Sequence, residues 1–348
     1  MQNVEIIVVG AGPIGLELAV ALKRLQVDYI HLEKRQIGQT ISWFPYQARF
    51  FSSPERIALA NVPFQTNDQS KATREDYLAY LRGIVQQFDL EVKTYERVVK
   101  IQKQNDRFVL DTQTQSGRKF QYSSRHVILA VGDMAQPRLL NIPGEDLPHV
   151  SHYFHEPHIY FRRRLLIIGG KNSAVEAALR CHHAGVRVAI SYRQNAFSPG
   201  SIKYWLLPEI QMLNRTGQIP FYNNTIPLEI TPDEVVLKST ENDKEITVPA
   251  DFVLLMTGYT CDSTLFEMAG VTLQDESAKP LFNPKTMETD VPGLFVAGTA
   301  AAGAQKEYRL FIENCHEHVG KIVKAITGKE VPPSRLFSAD LLENQPES

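Results

Sequence analysis

The chain begins with an apolar stretch, an amphipathic stretch and a second apolar stretch. The run Glu5–Gly10 predicts a buried strand, and apolar residues at helical spacing predict a helix over Pro13–Leu25. Tyr29–Glu33 predicts the next strand. This order of strand, helix and strand is typical of a parallel βαβ unit.

The same pattern returns near the middle of the chain. Leu165–Gly169 predicts a strand, Ser173–Ala184 a helix and Arg187–Tyr192 a further strand. Two such units in one chain predict a fold of the α/β class, built from two doubly wound, Rossmann-like domains.

Other apolar runs extend these domains. Val92–Lys103, Arg107–Gln113 and Lys119–Tyr122 alternate apolar and polar residues and predict a β-meander in the first domain. Val127–Gly132 and Phe252–Gly258 are β-runs that end in glycine, where we expect the chain to pass from one domain to the other.

The order of these elements predicts nested domains. Pro292–Gly303, near the end, predicts a strand, a glycine and the start of a helix, and loops are expected at Asn141–Gly144 and Pro220–Pro227. The predicted parts are a first domain of residues 1–140 plus 262–330, an inserted domain of residues 141–261, and a loose tail of residues 331–348.

Composition excludes several classes of function. With Lys+Arg 37 against Asp+Glu 39, the net charge of -2 gives no reason to expect binding to nucleic acid or to an anionic membrane. No stretch approaches the ~18 consecutive apolar residues of a membrane span, and the start lacks a signal-peptide pattern. Cys181, Cys261 and Cys315 form no CxxC or zinc spacing, so we expect no metal site and a reduced, cytoplasmic protein.

The first turn, Gly10-Ala-Gly12-Pro-Ile-Gly15, has the GxGxxG spacing of a dinucleotide-binding turn. Gly10 permits the tight turn, Gly12 lets a pyrophosphate approach, and Gly15 lets the helix lie close to the strand. The helix N-terminus supplies amides and a positive dipole end. Glu33, at the end of the second strand, can accept hydrogen bonds from ribose hydroxyls and would repel a 2′-phosphate. The predicted ligand is FAD or NAD; a glycine-rich turn without a ligand is the alternative.

The second turn, Gly169-Gly-Lys-Asn-Ser-Ala174, differs from the first in two ways. The strand after its helix ends in Tyr192-Arg193, and Arg193 can pair with a 2′-phosphate and stack on adenine, which favours NADPH. A solvated Arg193 and the use of NADH are the alternatives. Lys171 replaces the middle glycine, so its side chain must point away from the pyrophosphate or reach for it.

One fold for FAD and another for NADPH predict flavin-mediated electron transfer, with hydride passing from nicotinamide to flavin and on to an acceptor. The helix start after Gly298 is expected to face the flavin and to stabilise negative charge on the reduced ring. Five aromatic residues in one loop either cover the flavin or form a packed surface loop: Trp43, Phe44, Tyr46, Phe50 and Phe51.

Longer strings resemble a known family. FPYQARFFSSPE (Phe44–Glu55), IIGGKNSAVEAAL (Ile167–Leu179), METDVPGLFVAG (Met287–Gly298) and FIEN (Phe311–Asn314) resemble low-molecular-weight thioredoxin-reductase-like flavoproteins, and more closely the YpdA (Bdr) family of bacillithiol-disulfide reductases. The resemblance covers about residues 4–326. It implies FAD, NADPH, a homodimer and reduction of a low-molecular-weight disulfide.

Three departures from related sequences bear on the chemistry. Thioredoxin reductases carry a CxxC in the inserted domain and this chain has none, so direct reduction of thioredoxin is not expected. The best-known family members have a cysteine in the first turn where this chain has Ile14, and isoleucine cannot supply the thiolate that attacks a disulfide. Thr299 stands where many relatives have an aspartate that holds the ribityl hydroxyls, so we expect weaker binding of FAD.

The remaining candidates are weaker. Cys181 is expected in the core; Cys261 and Cys315 are minor candidates for a reactive thiol, and the flavin itself is the expected catalytic group. His149, His152, His155 and His158 recur every third residue in a proline-containing segment that predicts an irregular loop. A small redox protein such as ferredoxin or flavodoxin is the alternative acceptor, and a redox sensor without turnover is the alternative class. The residues predicted to bind the two cofactors are Gly10, Gly12, Pro13, Ile14, Gly15, Glu33, Lys34, Val99, Ala130, Gly132, Gly169, Gly170, Lys171, Asn172, Ser173, Ala174, Tyr192, Arg193, Gly258, Gly298 and Thr299.

Overall fold

The computed structural model describes residues 1–305 and 309–332. The strands are β1 Gln2–Val9, β2 Tyr29–Leu32, β3 Val92–Lys93, β4 Glu96–Gln104, β5 Arg107–Thr114, β6 Lys119–Leu129, β7 Gln136–Pro137, β8 Val150–Ser151, β9 Arg164–Ile168, β10 Arg187–Tyr192, β11 Phe221–Asn223, β12 Thr225–Ile230, β13 Glu234–Ser239, β14 Glu245–Pro249, β15 Phe252–Leu255, β16 Tyr259–Thr260, β17 Leu273–Gln274, β18 Lys279–Pro280 and β19 Leu294–Val296. The α-helices are α1 Pro13–Arg24, α2 Gln39–Ser42, α3 Arg74–Gln87, α4 Asn172–His183, α5 Leu207–Arg215, α6 Thr264–Met268 and α7 Ile312–Thr327. Short 3₁₀ helices span Pro54–Ile57, His158–Tyr160, Pro199–Ser201 and Gly298–Ala302.

The first unit is built on a sheet with strand order β3-β2-β1-β6-β5-β4, in which β19 also pairs with β6. Strands β2, β1, β6 and β19 run parallel, whereas β4, β5 and the first half of β6 form an antiparallel meander. We predicted two strands, Lys119–Tyr122 and Val127–Gly132, and this prediction was wrong because β6 is continuous. Its first half pairs with β5, and its last residues lie between β1 and β19.

Helices α1 and α7 pack together in the first unit. Their apolar faces share one core with strand residues that have no exposed surface, among them Ile6, Val8 and Leu129. The carboxyl ends of β1, β6 and β19 therefore meet at one edge of a rigid sheet, which is where ligands bind in doubly wound folds.

The second unit has a parallel sheet of order β11-β10-β9-β15-β8 and a three-stranded antiparallel sheet of order β12-β13-β14. Helix α4 packs on the parallel sheet through Val175, Ala178 and Cys181, which are buried. The loop predicted at Pro220–Pro227 is wrong, because β11 and the first half of β12 lie there. Pro227 is tolerated because it sits at a register shift on an edge strand, where a missing amide costs little.

Chain contacts divide the protein into two units. One contains Met1–Ser42, Gln47–Gln136 and the described residues from Tyr259 onward, and the other contains Trp43–Tyr46 and Pro137–Gly258. The boundaries thus lie a few residues before the predicted positions 140/141 and 261/262, and Trp43–Tyr46, predicted in the first domain, cluster with the second. Most of the predicted tail, 331–348, lies outside the described residues. Within residues 1–305 and 309–332, no helix is long and apolar enough to cross a bilayer.

Candidate functional site

The first glycine-rich turn connects β1 to α1. A Cβ at Gly10, which has φ of +104°, would lie 2.3 Å from the carbonyl oxygen of Ala130, and one at Gly15 would lie 2.0 Å from the carbonyl oxygen of Gly10. A Cβ at Gly12 would meet no described atom within 4 Å. The fold therefore requires glycine at positions 10 and 15, whereas Gly12 faces open space that a pyrophosphate can enter. Helix α1 begins there without a side-chain cap from the described residues and without an acidic residue in its first turn, so its N-terminus can attract an anion.

Glu33 is held beside this turn by two backbone amides. Its Oε2 accepts a hydrogen bond from the Ala11 amide at 2.8 Å, and its Oε1 accepts one from the Arg35 amide at 2.8 Å. Each carboxylate oxygen can accept a further hydrogen bond, so the fixed carboxylate can still receive ribose hydroxyls. The structure thus brings together the first turn and Glu33, as expected for FAD or NAD.

His31 holds the first turn through a hydrogen bond to its backbone, and no sequence motif predicted this role. Its Nε2 lies 2.9 Å from the carbonyl oxygen of Gly10 and donates a hydrogen bond to it. Burial lowers the pKa of His31 to about 4, although that hydrogen bond works in the opposite direction. The ring is therefore neutral near pH 7 and adds no charge beneath the anion site.

The second turn is anchored in the same way as the first. The Gly169 amide donates to the carbonyl of Ser191 at 2.8 Å, as the Gly10 amide donates to Leu32 at 2.8 Å. Gly169 has φ of +140°, and a Cβ there would lie 2.4 Å from the carbonyl oxygen of Met256. Both turns therefore depend on a glycine that faces the end of the neighbouring strand.

Lys171 takes the backbone conformation of Gly12. It is the N-cap of α4 with φ of -97° and ψ of -174°, against -74° and -177° for Gly12 in α1. Both conformations lie in the extended region open to any residue, so a lysine fits without strain. The Lys171 side chain is exposed at the helix N-terminus, a position suited to an anion.

Tyr192 covers the second turn. A Cβ at Gly170 would lie 2.3 Å from the Tyr192 ring, which is 9% exposed, so glycine is needed for the ring to lie there. Arg193, which follows, is exposed. The end of β10 therefore presents an aromatic ring and a cation where the end of β2 presents a carboxylate.

Lys203 is a buried residue of this region that the sequence did not reveal. Its Nζ lies 2.8 Å from Oε2 of Glu176, and its amide donates to Oδ1 of Asn172 at 3.1 Å. Both partners are on α4. These bonds hold the segment around Lys203 against the start of that helix.

A helix begins at Gly298, as expected, but it is a short 3₁₀ helix. A five-residue 3₁₀ helix spans Gly298–Ala302, and the Gly298 amide donates to Nδ1 of His318 at 3.2 Å. Burial lowers the pKa of His318 to about 4, so its Nδ1 is a neutral acceptor. Such a short helix has little dipole, and one of its first amides is already bonded, so the stabilisation of reduced flavin gains no support here and stays a prediction.

Ile14 packs at this same edge of the sheet. The side chain is 5% exposed, and a Cβ at Gly298 would lie 3.4 Å from Cβ of Ile14. Ile14 is part of the core cluster that also includes Cys315. It fills the first turn with apolar surface and supplies no nucleophile.

None of the three cysteines has an activated thiol. Cys181 is fully buried, as predicted, and burial raises its pKa to about 12. Cys315 is fully buried and Cys261 is partly buried, and burial raises the pKa of both thiols. Because a reactive cysteine needs a lowered pKa, these environments oppose thiolate formation.

For several other predicted positions, the structure gives little further support for a role in cofactor binding. Lys34 is exposed, Val99 is 40% exposed at a bulge of β4, and Gly258 has φ of +93° with no described atom near its Cβ position. Their roles in cofactor binding stay predictions, as do those of Pro13, Ser173 and Ala174.

The aromatic residues of the predicted flavin cover belong to different units. Trp43 contacts Tyr153 edge-on in the second unit, whereas Phe50 contacts Tyr77 edge-on in the first.

The four spaced histidines do not form a cluster: His149 bonds to the Thr231 carbonyl, for example, and His158 begins a 3₁₀ helix. Among the described residues, no group of three or more side chains is arranged to hold a metal.

Comparison with known proteins gives consistent matches. The family described as pyridine nucleotide-disulphide oxidoreductase matches residues 7–298. Bacilliredoxin reductase Bdr of Bacillus subtilis (strain 168) is 40% identical over 331 residues, which cover 95% of this chain and 99% of that protein. A ferredoxin–NADP reductase of Ignicoccus hospitalis is 27% identical over 84% of this chain and 89% of its own length.

A solved structure supports the same relationship. The bacillithiol disulfide reductase Bdr (YpdA) from Bacillus cereus superposes with a TM-score of 0.89 at 36% identity, covering 94% of this chain and all of that one. Solved thioredoxin reductases also share the fold. The α/β fold of two Rossmann-like domains predicted from the βαβ units is therefore confirmed, as is the thioredoxin-reductase-like fold that the family resemblance implies.

Proposed function

Because the chain belongs to the pyridine nucleotide-disulphide oxidoreductase family, we propose that it reduces a low-molecular-weight disulfide with electrons from NADPH. It is a flavin-dependent oxidoreductase, and its cofactors are FAD and NADPH. Bound FAD would supply the two-electron redox chemistry that links NADPH to the acceptor. The observation that carries the proposal is that one chain holds two uncapped dinucleotide turns with strand ends of opposite charge.

The first turn is assigned to FAD. Gly12 leaves room for the pyrophosphate, the N-terminus of α1 attracts it, and Glu33 accepts the ribose hydroxyls. The same carboxylate would repel the 2′-phosphate of NADPH. This turn therefore selects an unphosphorylated dinucleotide.

The second turn is assigned to NADPH. Lys171 places a cation at the N-terminus of α4, and Arg193 places another at the end of β10. A guanidinium can bind a phosphate through two hydrogen bonds, so Arg193 favours NADPH over NADH.

The proposed acceptor is a small disulfide such as bacillithiol disulfide, as named for the Bacillus cereus relative. Ile14 supplies no thiol, and burial opposes ionisation of Cys181 and Cys315. The acceptor S–S bond would thus take two electrons and two protons to give two thiols, without a mixed disulfide to these cysteines.

A second candidate acceptor is a one-electron protein such as ferredoxin. The observation that favours it is the same lack of an activated thiol, because electron transfer to ferredoxin needs none. The similarity to the ferredoxin–NADP reductase of Ignicoccus hospitalis gives it further support.

Parallel assays separate the two acceptors. We expect NADPH consumption with bacillithiol disulfide that persists when Cys261 and Cys315 are both changed to alanine. If turnover occurs only with ferredoxin, as measured by cytochrome reduction, the acceptor is the protein and not the disulfide. Loss of turnover in the cysteine variant would instead restore a thiol mechanism. Failure of NADPH to reduce the flavin would favour a redox sensor without turnover.

The resemblance to the YpdA family also supports a homodimer in a reducing cytoplasm. Light scattering of the flavin-loaded protein tests the dimer, for which we expect twice the 39.3 kDa mass of the chain. A monomer at this measurement would contradict that part of the proposal.

A further inference from the structure

The sheet topology fixes the direction in which FAD must extend from the first turn. Strand β2, which Glu33 directly follows, lies on one side of β1, and β6 and β19 lie on the other. If the adenosine ribose is at Glu33 and the pyrophosphate at the N-terminus of α1, the flavin half must extend past the ends of β6 and β19. This step depends on the assignment of FAD to the first turn.

Asp133 is a buried carboxylate at this end of the sheet. It follows Gly132, four residues after the last residue of β6, and is 8% exposed. The hydroxyl of Thr299, just beyond β19, donates a hydrogen bond to its carboxylate. Burial raises the pKa of Asp133, and the hydrogen bonds from Gln305 and Thr299 counter that rise.

Gln305 fixes the other side of Asp133. Its Nε2 donates to Oδ2 of Asp133 at 2.8 Å and to the Leu310 carbonyl at 3.0 Å. Its Oε1 accepts the amides of Arg309 and Leu310, each at 2.9 Å. The Gln305 amide is thus committed to these partners and holds the carboxylate in one orientation.

These contacts identify Asp133 as an acceptor for a ligand with hydroxyl groups. Two neutral donors hold the carboxylate, no described residue forms a salt bridge with it, and its two oxygens retain capacity for further hydrogen bonds. The ribityl chain of FAD carries several neutral hydroxyl donors and lies between the pyrophosphate and the flavin ring. We propose that Asp133, oriented by Thr299 and Gln305, accepts hydrogen bonds from the ribityl hydroxyls.

The affinities of FAD and ADP separate this role from a structural one. ADP contains the adenosine and pyrophosphate portion but no ribityl chain, so it should not sense Asp133. In Asp133→Asn we expect the Kd for FAD, measured by flavin fluorescence on the full-length protein, to rise at least about tenfold while the Kd for ADP is unchanged. Asp111→Asn is the matched control, because Asp111 also accepts a glutamine amide, from Gln121 at 2.9 Å, on the meander of the same unit.

Thr299→Val provides a second variant that keeps the carboxylate. Loss of the orienting hydroxyl should raise the Kd for FAD by about threefold, again without a change for ADP. An unchanged Kd for FAD in Asp133→Asn, or a parallel loss of FAD and ADP binding, would overturn the inference. A wild-type protein that binds no FAD would overturn the proposed function itself.

Discussion

The two nucleotide turns share a backbone but differ in the residues that face the ligand. At Gly10 and at Gly169, a carbonyl at the end of the neighbouring strand occupies the space that a Cβ would need, so the fold requires glycine at both positions. Gly12 and Lys171 have nearly the same φ and ψ, yet one opens space and the other adds a cation. Glycines that serve the fold are thus fixed by backbone contacts, whereas the extended backbone of the middle position accepts any residue.

A second difference lies on the helices behind the turns. Glu17 of α1 and Glu176 of α4 are each two residues beyond the end of their turn, and each pairs with a buried or nearly buried cation. Glu17 contacts Nδ1 of His316 at 2.6 Å, and Glu176 contacts Nζ of Lys203 at 2.8 Å. Only the histidine can lose its charge near neutral pH, so the two pairs should respond differently to pH.

The largest effect is expected at Gly15. Gly15→Ala places a methyl group 2.0 Å from the Gly10 carbonyl and should lower the free energy of unfolding by about 3 kcal/mol, as measured by urea denaturation. The control is Gly12→Ala in the same turn, where a Cβ meets open space. Equal stability of the two variants would refute the close approach of α1 to β1.

A glutamate at the middle position of either turn should weaken the binding of one cofactor and not of the other. Gly12→Glu should raise the Kd for FAD by about 100-fold, because a carboxylate would face the pyrophosphate. Lys171→Glu should instead raise the Kd for NADPH. Isothermal titration of each ligand against both variants measures this. If both variants lose the same ligand, the assignment of turns to cofactors is wrong.

The strand-end arginine should control selectivity for the phosphate. Arg193→Ala should raise the KM for NADPH by about tenfold and leave that for NADH unchanged, because only NADPH carries the 2′-phosphate. Arg187→Ala, an exposed arginine at the other end of β10, is the control. An equal change for both nucleotides would remove Arg193 from phosphate recognition.

The smallest effect concerns pH. Burial alone would lower the pKa of His316, but the hydrogen bond and charge of Glu17 and the Arg56 carbonyl raise it above its ordinary value. The stabilisation from this pair is therefore complete below the unfolded pKa of about 6.5 and is lost as pH rises through the folded pKa. We expect Glu17→Gln to lower the melting temperature by a few degrees more at about pH 6 than at about pH 9.

The second pair serves as the comparison for this measurement. The deficit of Glu176→Gln should be nearly the same at both pH values, because this pair contains no histidine. A deficit of Glu17→Gln that does not change with pH would show that His316 is not titrating against Glu17.

Local periodicity was sufficient to predict both βαβ units. The helix predicted at Pro13–Leu25 is Pro13–Arg24, and the strand predicted at Arg187–Tyr192 has those bounds. Glycine spacing and the strand-end residues likewise predicted where Glu33 and Arg193 would lie. These features depend on neighbours within about one turn or strand, which the sequence displays directly.

The missed features depend on contacts between distant residues. His316 and Glu17 are 299 positions apart in the sequence, and Gln305 and Asp133 are 172 positions apart. Local residue spacing therefore cannot predict either pair. The continuity of β6 has the same origin, because its halves are held by different partner strands. The type of helix at Gly298–Ala302 was not predicted either, because Thr299, Ala300 and Ala301 are compatible with an α-helix and with a 3₁₀ helix.

The central claim is that the first turn holds FAD and the second delivers electrons from NADPH, and an anaerobic titration of the flavin-loaded protein tests it most directly. The account predicts that about one equivalent of NADPH bleaches the flavin absorbance, and that NADPH does so at least about tenfold faster than NADH at the same subsaturating concentration. A protein that retains no flavin after reconstitution, or whose flavin is reduced equally by both nucleotides, would contradict it.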